Sequence, residues 1–98
     1  MKKILLCCSA GMSTSTLVKK MTDHARKTGL DWTIEAMSLQ EAKSVVNEWD
    51  IVMVGPQVSY ALGDLTKLTS KPVEVIPANI YALAKAKEAC EMAQRMLG

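Results

Sequence analysis

Two short segments of the chain are apolar at almost every position, and two others alternate between apolar and polar side chains. Residues 2–8 become continuously apolar after two lysines, and residues 50–54 contain the run Ile-Val-Met-Val. Residues 31–37 and 72–76 instead alternate. Continuous apolar runs are typical of strands covered on both faces, whereas alternation is typical of strands that are less covered. The pattern therefore predicts two central strands and two edge strands.

The segments between these strands have the spacing of amphipathic helices. Apolar residues recur every three or four positions in residues 13–28, 40–48 and 57–68. Gly29 is well placed to end the first of these helices. Residues 79–97 are rich in Ala, Lys and Glu and form the longest predicted helix. Strands and helices therefore alternate along the whole chain.

This alternation indicates an α/β fold with a parallel four-stranded sheet and helices on both faces. With the apolar strands in the centre and right-handed crossovers, the simplest strand order is 2-1-3-4, which is flavodoxin-like and also tyrosine-phosphatase-like. The 98 residues suffice for one domain. Ligands of such folds bind beyond the carboxyl ends of the strands, where the strand order reverses. We therefore expect the loops at residues 8–15 and 55–60 to meet at one crevice.

The first of these loops has the composition of an anion-binding cradle. Its residues are Cys8, Ser9, Ala10, Gly11, Met12, Ser13, Thr14 and Ser15. Small residues let the backbone curl so that successive N–H groups face inward, and the following helix N-terminus reinforces that field. The same field favours the thiolate form of a cysteine. We therefore predict Cys8 as a nucleophile that accepts a phosphoryl group, with the loop binding the phosphate.

The loop differs from that of a tyrosine phosphatase in one respect that changes the expected chemistry. A phosphatase loop carries an arginine six residues after its cysteine, and here that position is Thr14. The two arginines of the chain, Arg26 and Arg95, both lie outside the loop. The guanidinium that clamps a phosphate during hydrolysis is therefore missing. A site that accepts phosphate without the parts for hydrolysis suits a phosphoryl carrier.

The loop Cys-Ser-Ala-Gly-Met-Ser-Thr-Ser, together with Gly-Pro-Gln-Val-Ser-Tyr and Lys-Pro-Val-Glu-Val-Ile, resembles one known family. It is the IIB component of the bacterial phosphoenolpyruvate-dependent sugar phosphotransferase system, of the lactose/cellobiose/chitobiose type. The resemblance covers essentially the whole chain and implies a single IIB domain over residues 1–98. It implies a phosphotransferase component (EC 2.7.1 type) in which Cys8 takes a phosphoryl group from a phosphohistidine of the IIA protein. The group then passes to a sugar, expected to be a β-linked disaccharide, bound by the membrane permease IIC.

Residues outside the loop have competing interpretations. Gln57 and Tyr60 are predicted to contact the phosphate or the partner proteins, although packing around the third helix is the alternative. Cys7 departs from the family pattern; it should face the core, and it adds a redox liability beside Cys8. Cys90 and His24 are interpreted as packing or solvated residues. Two rival functions remain: a small cysteine phosphatase or arsenate-reductase-like enzyme, and a regulatory module in which Cys8 is inert.

Charge and cysteine usage exclude several other classes of function. The formal net charge of +2 is too small to indicate a nucleic-acid partner or an anionic membrane surface. Three cysteines and one histidine form neither a disulfide framework nor a metal-ligand set, so we expect no metal and no cofactor. The apolar runs are shorter than the roughly 18 residues that span a bilayer. The N-terminal run is also shorter than the roughly 7–15 residues of a signal-peptide h-region, so we expect a cytoplasmic protein without direct membrane insertion.

Overall fold

The computed structural model describes residues 2–8 and 12–98 and contains a four-stranded sheet. Its strands are β1 (Lys2–Cys8), β2 (Trp32–Ser38), β3 (Ile51–Val54) and β4 (Val73–Val75). The order is β2-β1-β3-β4, and the three pairings are parallel. The predicted strand order is confirmed. The apolar strands β1 and β3 lie in the centre because helices cover both of their faces, and the alternating strands lie at the edges.

Each connection between the strands contains at least one helix. The α-helices are α1 (Met12–Lys27), α2 (Leu39–Val45), α3 (Leu62–Leu68), α4 (Ala78–Ala82) and α5 (Ala86–Leu97), and two 3₁₀ segments cover Val46–Glu48 and Pro56–Ala61. Gly29 has a φ of 77° and ends α1, as predicted, because this left-handed conformation costs glycine little. The second and third predicted helices are each part α-helix and part 3₁₀ helix.

The prediction of one continuous helix over residues 79–97 is wrong. The structure divides this segment into α4 and α5, and Ala84 between them has a positive φ of 49°. The backbone N–H of Lys85 donates to the carbonyl of Ile80 at 2.9 Å, which closes the end of α4. A left-handed alanine costs about 1–2 kcal/mol. Burial of residues such as Ala89 and Ala93 of α5 against the sheet offsets that cost.

The two faces of the sheet carry two separate apolar clusters. On one face, Ile4 and Leu6 of β1 pack with Leu17 and Met21 of α1 and with buried residues of α5. On the other face, β1 contributes Leu5 and Cys7, which pack in a cluster that includes residues of α2 and α3. Successive side chains of a strand point to opposite faces, so β1 must be apolar at each of these positions. Cys8, at its carboxyl end, is buried as well.

Candidate functional site

Cys8 lies between two small residues, one at the end of β2 and one just after β3. It is the last residue of β1, and its side chain is buried, with 4% of the residue exposed. In the β1–β2 register its Cα partner is Ser38, the last residue of β2. On its other side, the backbone N–H of Gly55, just after β3, donates to the carbonyl of Cys7 at 2.8 Å. Ser38, Cys8 and Gly55 thus form a row across the carboxyl end of the sheet.

The absent side chain of Gly55 leaves room that Gln57 partly occupies. A Cβ on Gly55 would lie 3.4 Å from Cβ of Cys8 and 3.2 Å from Oε1 of Gln57. Both atoms therefore border the same small space. Gln57 belongs to the 3₁₀ segment Pro56–Ala61, and the N–H of Val58 donates to the carbonyl of Gly55 at 3.0 Å. This short turn brings the polar end of Gln57 back over Gly55, beside Cys8.

Ser15 is the member of the predicted phosphate-binding loop whose side-chain environment is described. Ser9, Ala10 and Gly11 lie outside the described residues, and Met12, Ser13 and Thr14 are described only as the first positions of α1. Ser15 is exposed in the first turn of α1. It lines an open groove of about 350 Å³ between α1 and β2, together with Val18, Lys19, Ile34, Glu35 and Ala36.

Comparison with known proteins identifies the family of this chain. Residues 3–91 match the family model described as "PTS system, Lactose/Cellobiose specific IIB subunit". The chain belongs to this family. It is therefore a sugar-specific IIB component of the phosphotransferase system, in which phosphoryl transfer accompanies sugar uptake and IIB components work with IIA and IIC partners.

Individual relatives agree with this assignment. The chain is 41% identical over 100 residues to the oligo-beta-mannoside-specific EIIB component of Bacillus subtilis, covering 99% of this chain and 97% of that one. A solution structure of the cellobiose-specific IIB component from Borrelia burgdorferi superposes with a TM-score of 0.79 at 30% identity, covering 98% and 91% of the two chains. The lactose-specific IIB domain from Streptococcus pneumoniae superposes with a TM-score of 0.84 at 15% identity, over 99% and 98% of the two chains, and supports the flavodoxin-like fold alone.

Cys7 of this IIB subunit faces the core on the side of the sheet opposite to Cys8, as expected from strand alternation. It is fully buried in the cluster that contains Leu5 and Val52. Burial raises the pKa of its thiol from 9.0 to about 11; the charge of Cys8 raises that pKa further, and Lys43 lowers it. Cys7 is therefore a protonated core residue at neutral pH, and its neighbour Cys8 is the thiol at the sheet end.

The other residues considered from the sequence lie elsewhere. Tyr60 is 76% exposed on the 3₁₀ segment Pro56–Ala61. His24 is half-buried, about 18 Å along α1 from Met12. Cys90 is buried in the core, and its Sγ lies 3.6 Å from the carbonyl oxygen of Met21. Of these three residues, only Tyr60 offers an exposed side chain large enough to contact a partner protein.

Sequence reasoning did not single out Ser38. The sequence Ser-Leu-Gln-Glu at the start of α2 has the capping-box pattern, which indicates that Ser38 begins a helix. Its position beside Cys8 follows only when strand order and register are known together.

Within residues 2–8 and 12–98, none of the helices combines the length and apolar character needed to cross a membrane.

From the raised pKa values of the two core thiols, Cys7 and Cys90, we predict that the protein loses stability at alkaline pH. Burial raises the pKa of Cys90, like that of Cys7, to about 11 from 9.0. Between pH 9 and 11 the unfolded chain binds fewer protons at these thiols than the folded chain, so the free energy of unfolding falls as pH rises. We expect each thiol to contribute on the order of 2 kcal/mol to this loss at pH 10.5.

Urea unfolding of the wild type and of Cys90→Ala at pH 8 and pH 10.5 measures this contribution. The difference in unfolding free energy between the two pH values should be smaller for Cys90→Ala. An equal difference in both proteins would contradict the assigned origin, because every other titratable group is common to both.

Proposed function

We propose that Cys8 is the phosphoryl acceptor of this IIB subunit. It receives the phosphoryl group from a phosphohistidine of a IIA protein and transfers it to a sugar bound by a IIC permease, on the cytoplasmic side of the membrane. The observation that carries the proposal is the position of Cys8 at the carboxyl end of a central strand, where the strand order reverses. The two other cysteines lie in the apolar core with raised pKa values. Residues 1–98 act in this proposal as one IIB domain.

The proposed reaction is two displacements at one phosphorus atom. In the first, the thiolate sulfur of Cys8 forms a bond to phosphorus, and the bond to the imidazole nitrogen breaks with its electron pair remaining on nitrogen. In the second, a sugar hydroxyl oxygen attacks phosphorus, its proton leaves to a base, and the sulfur departs as thiolate. Backbone N–H groups of the loop from Ser9 to Ser15 are proposed to hold the equatorial oxygens during both steps.

The sugar is proposed to be a β-linked disaccharide or short oligosaccharide. The relative that is 41% identical is described as specific for oligo-beta-mannosides, and a further relative, 31% identical over 104 residues, is described as cellobiose-specific. In this proposal the choice of sugar lies mainly in the permease, so the names of these two relatives support a class of substrate rather than one compound.

Phosphorylation of the wild-type protein tests this function. The protein is incubated with phosphoenolpyruvate, the general phosphotransferase components and a IIA protein, and its intact mass is measured. We expect a gain of one phosphoryl group, located by peptide fragmentation on Cys8. A phosphoryl group on His24 or on another residue would contradict the proposal. Turnover of an aryl phosphate by the isolated protein would favour the phosphatase alternative, which the loop without arginine does not support.

Gln57 and Tyr60 are proposed to serve different parts of this reaction. Oε1 of Gln57 borders the space beside Cys8. Rotation of the terminal amide about χ3 would turn its Nε2–H group into this space, where it is proposed to donate a hydrogen bond to the phosphoryl group. Tyr60 is largely exposed on the same 3₁₀ segment and is proposed to contact IIA or IIC. Aromatic residues at the centre of interfaces often contribute strongly to binding.

Matched variants separate these two roles. Gln57→Leu keeps similar volume and removes the amide, so we expect about a tenfold lower rate of phosphoryl uptake at saturating IIA, the usual effect of losing a hydrogen bond to a charged group. Tyr60→Ser should instead raise the IIA concentration needed for half-maximal rate and leave the saturated rate unchanged. The rate is measured as a function of IIA concentration. The reverse pattern in the two variants would contradict the assignment.

A further inference from the structure

Ser38 lies beside Cys8 at the carboxyl end of the sheet. The two residues are Cα partners in the parallel register of β1 and β2, and adjacent strands are about 4.8 Å apart. Partners in this register point to the same face of the sheet. On that face, the other neighbour of Cys8 is Gly55, which has no side chain. Ser38 is therefore the strand residue next to Cys8 that presents a polar side chain.

The hydroxyl group of Ser38 has two roles at the start of α2. Its oxygen accepts a hydrogen bond from the backbone N–H of Glu41 at 3.3 Å, which caps the helix. Its hydrogen is donated to Oε1 of Glu41 at 3.0 Å, and this side-chain pair is exposed. A hydroxyl has one donor and two acceptor lone pairs. The donor is thus held by a solvent-exposed carboxylate and can turn to another acceptor without loss of the helix cap.

We propose that Ser38 donates this hydrogen bond to the phosphoryl group while it is bound to Cys8. The inference rests on the proposed phosphorylation of Cys8. A phosphoryl group on sulfur places negative oxygens within reach of the neighbouring strand, and these are strong acceptors. The same negative charge repels the carboxylate of Glu41, so the hydroxyl exchanges Glu41 for the phosphoryl oxygen. Ser38 then binds the phosphoryl group from the β2 side, opposite to the Gly55–Gln57 side.

Substitutions that keep the helix cap distinguish this role from a structural one. Ser38→Ala removes both the cap and the donor, whereas Ser38→Asp retains a good N-cap and places a carboxylate beside Cys8. Ser38→Asn retains the cap and supplies an amide donor. Glu41→Gln keeps the hydroxyl and removes the competing charge. Phosphoryl uptake from phosphorylated IIA is measured for each full-length variant, with thermal unfolding as the control for folding and ³¹P NMR of the phosphocysteine as a direct readout.

The expected order of uptake rates is specific to a donor role. Ser38→Ala should be about tenfold slower than wild type, and Ser38→Asp slower still although it caps α2. Ser38→Asn should be faster than Ser38→Asp, and Glu41→Gln as fast as wild type or faster. The ³¹P shift should change in Ser38→Ala.

Two outcomes would overturn the inference, and they are distinguishable from a failure of the proposed function. If wild-type Cys8 is phosphorylated and Ser38→Ala matches its rate and ³¹P shift, Ser38 does not bind the phosphoryl group. If Ser38→Asp takes up phosphoryl at the wild-type rate while Ser38→Ala is slower, Ser38 acts only as a helix cap. In both cases phosphorylation of Cys8 itself stands. If the wild type takes up no phosphoryl group on Cys8, the proposed function fails and the inference loses its basis.

Discussion

Replacing Cys8 by serine should abolish phosphoryl uptake by this IIB subunit. Serine has nearly the same shape, so the packing at the end of β1 is retained. Its hydroxyl remains protonated at neutral pH, whereas the thiolate is the nucleophilic form of cysteine. Loss of an enzymic nucleophile commonly lowers the rate on the order of 10⁶-fold. We therefore expect no detectable mass gain after incubation with phosphoenolpyruvate and the general components.

Cys90→Ser is the matched control for this experiment. Cys90 is buried, and its Sγ lies 3.6 Å from the carbonyl oxygen of Met21, so a serine hydroxyl at this position has an acceptor. The variant carries the same chemical change within the core cluster on α5 and should take up a phosphoryl group at the wild-type rate. Circular dichroism of both variants checks that they are folded. A phosphoryl group gained by Cys8→Ser would refute the assignment of Cys8.

The second large effect is expected in the core, for Leu6→Ala. Leu6 is 1% exposed on the central strand β1 and packs in the cluster formed with α1 and α5. Truncation of a buried leucine to alanine costs about 2–5 kcal/mol, because transfer free energy is lost and a cavity remains. Domains of this size are commonly stable by only about 5–15 kcal/mol. Leu6→Ala should therefore lower the urea midpoint of unfolding strongly.

Leu83→Ala provides the same change of side chain in a different environment. Leu83 is 66% exposed in the turn between α4 and α5. Exposed substitutions of this kind usually change stability by less than about 0.5 kcal/mol. Urea unfolding of the two variants should therefore give clearly different midpoints. Equal midpoints would show that β1 is not the centre of the core.

The arrangement of the sheet could be predicted because the burial of a strand determines which of its positions are apolar. The continuous apolar runs became the central strands β1 and β3, and the alternating segments became the edge strands β2 and β4. The opposite orientations of Cys7 and Cys8 also follow from the two-residue period of a strand. Family membership followed from the loop that begins at Cys8 and from the two further motifs. Each of these inferences needed only local patterns.

The surroundings of Cys8 were decided by tertiary structure. Ser38 lies thirty residues from Cys8 along the chain, and the pairing of β1 with β2 in one register makes them neighbours. The polar end of Gln57 lies beside Cys8 because Gly55 has no side chain and the following turn folds back. The break at Ala84 was missed because helix propensity describes local preference, whereas burial of α5 against the sheet determines where that helix must begin.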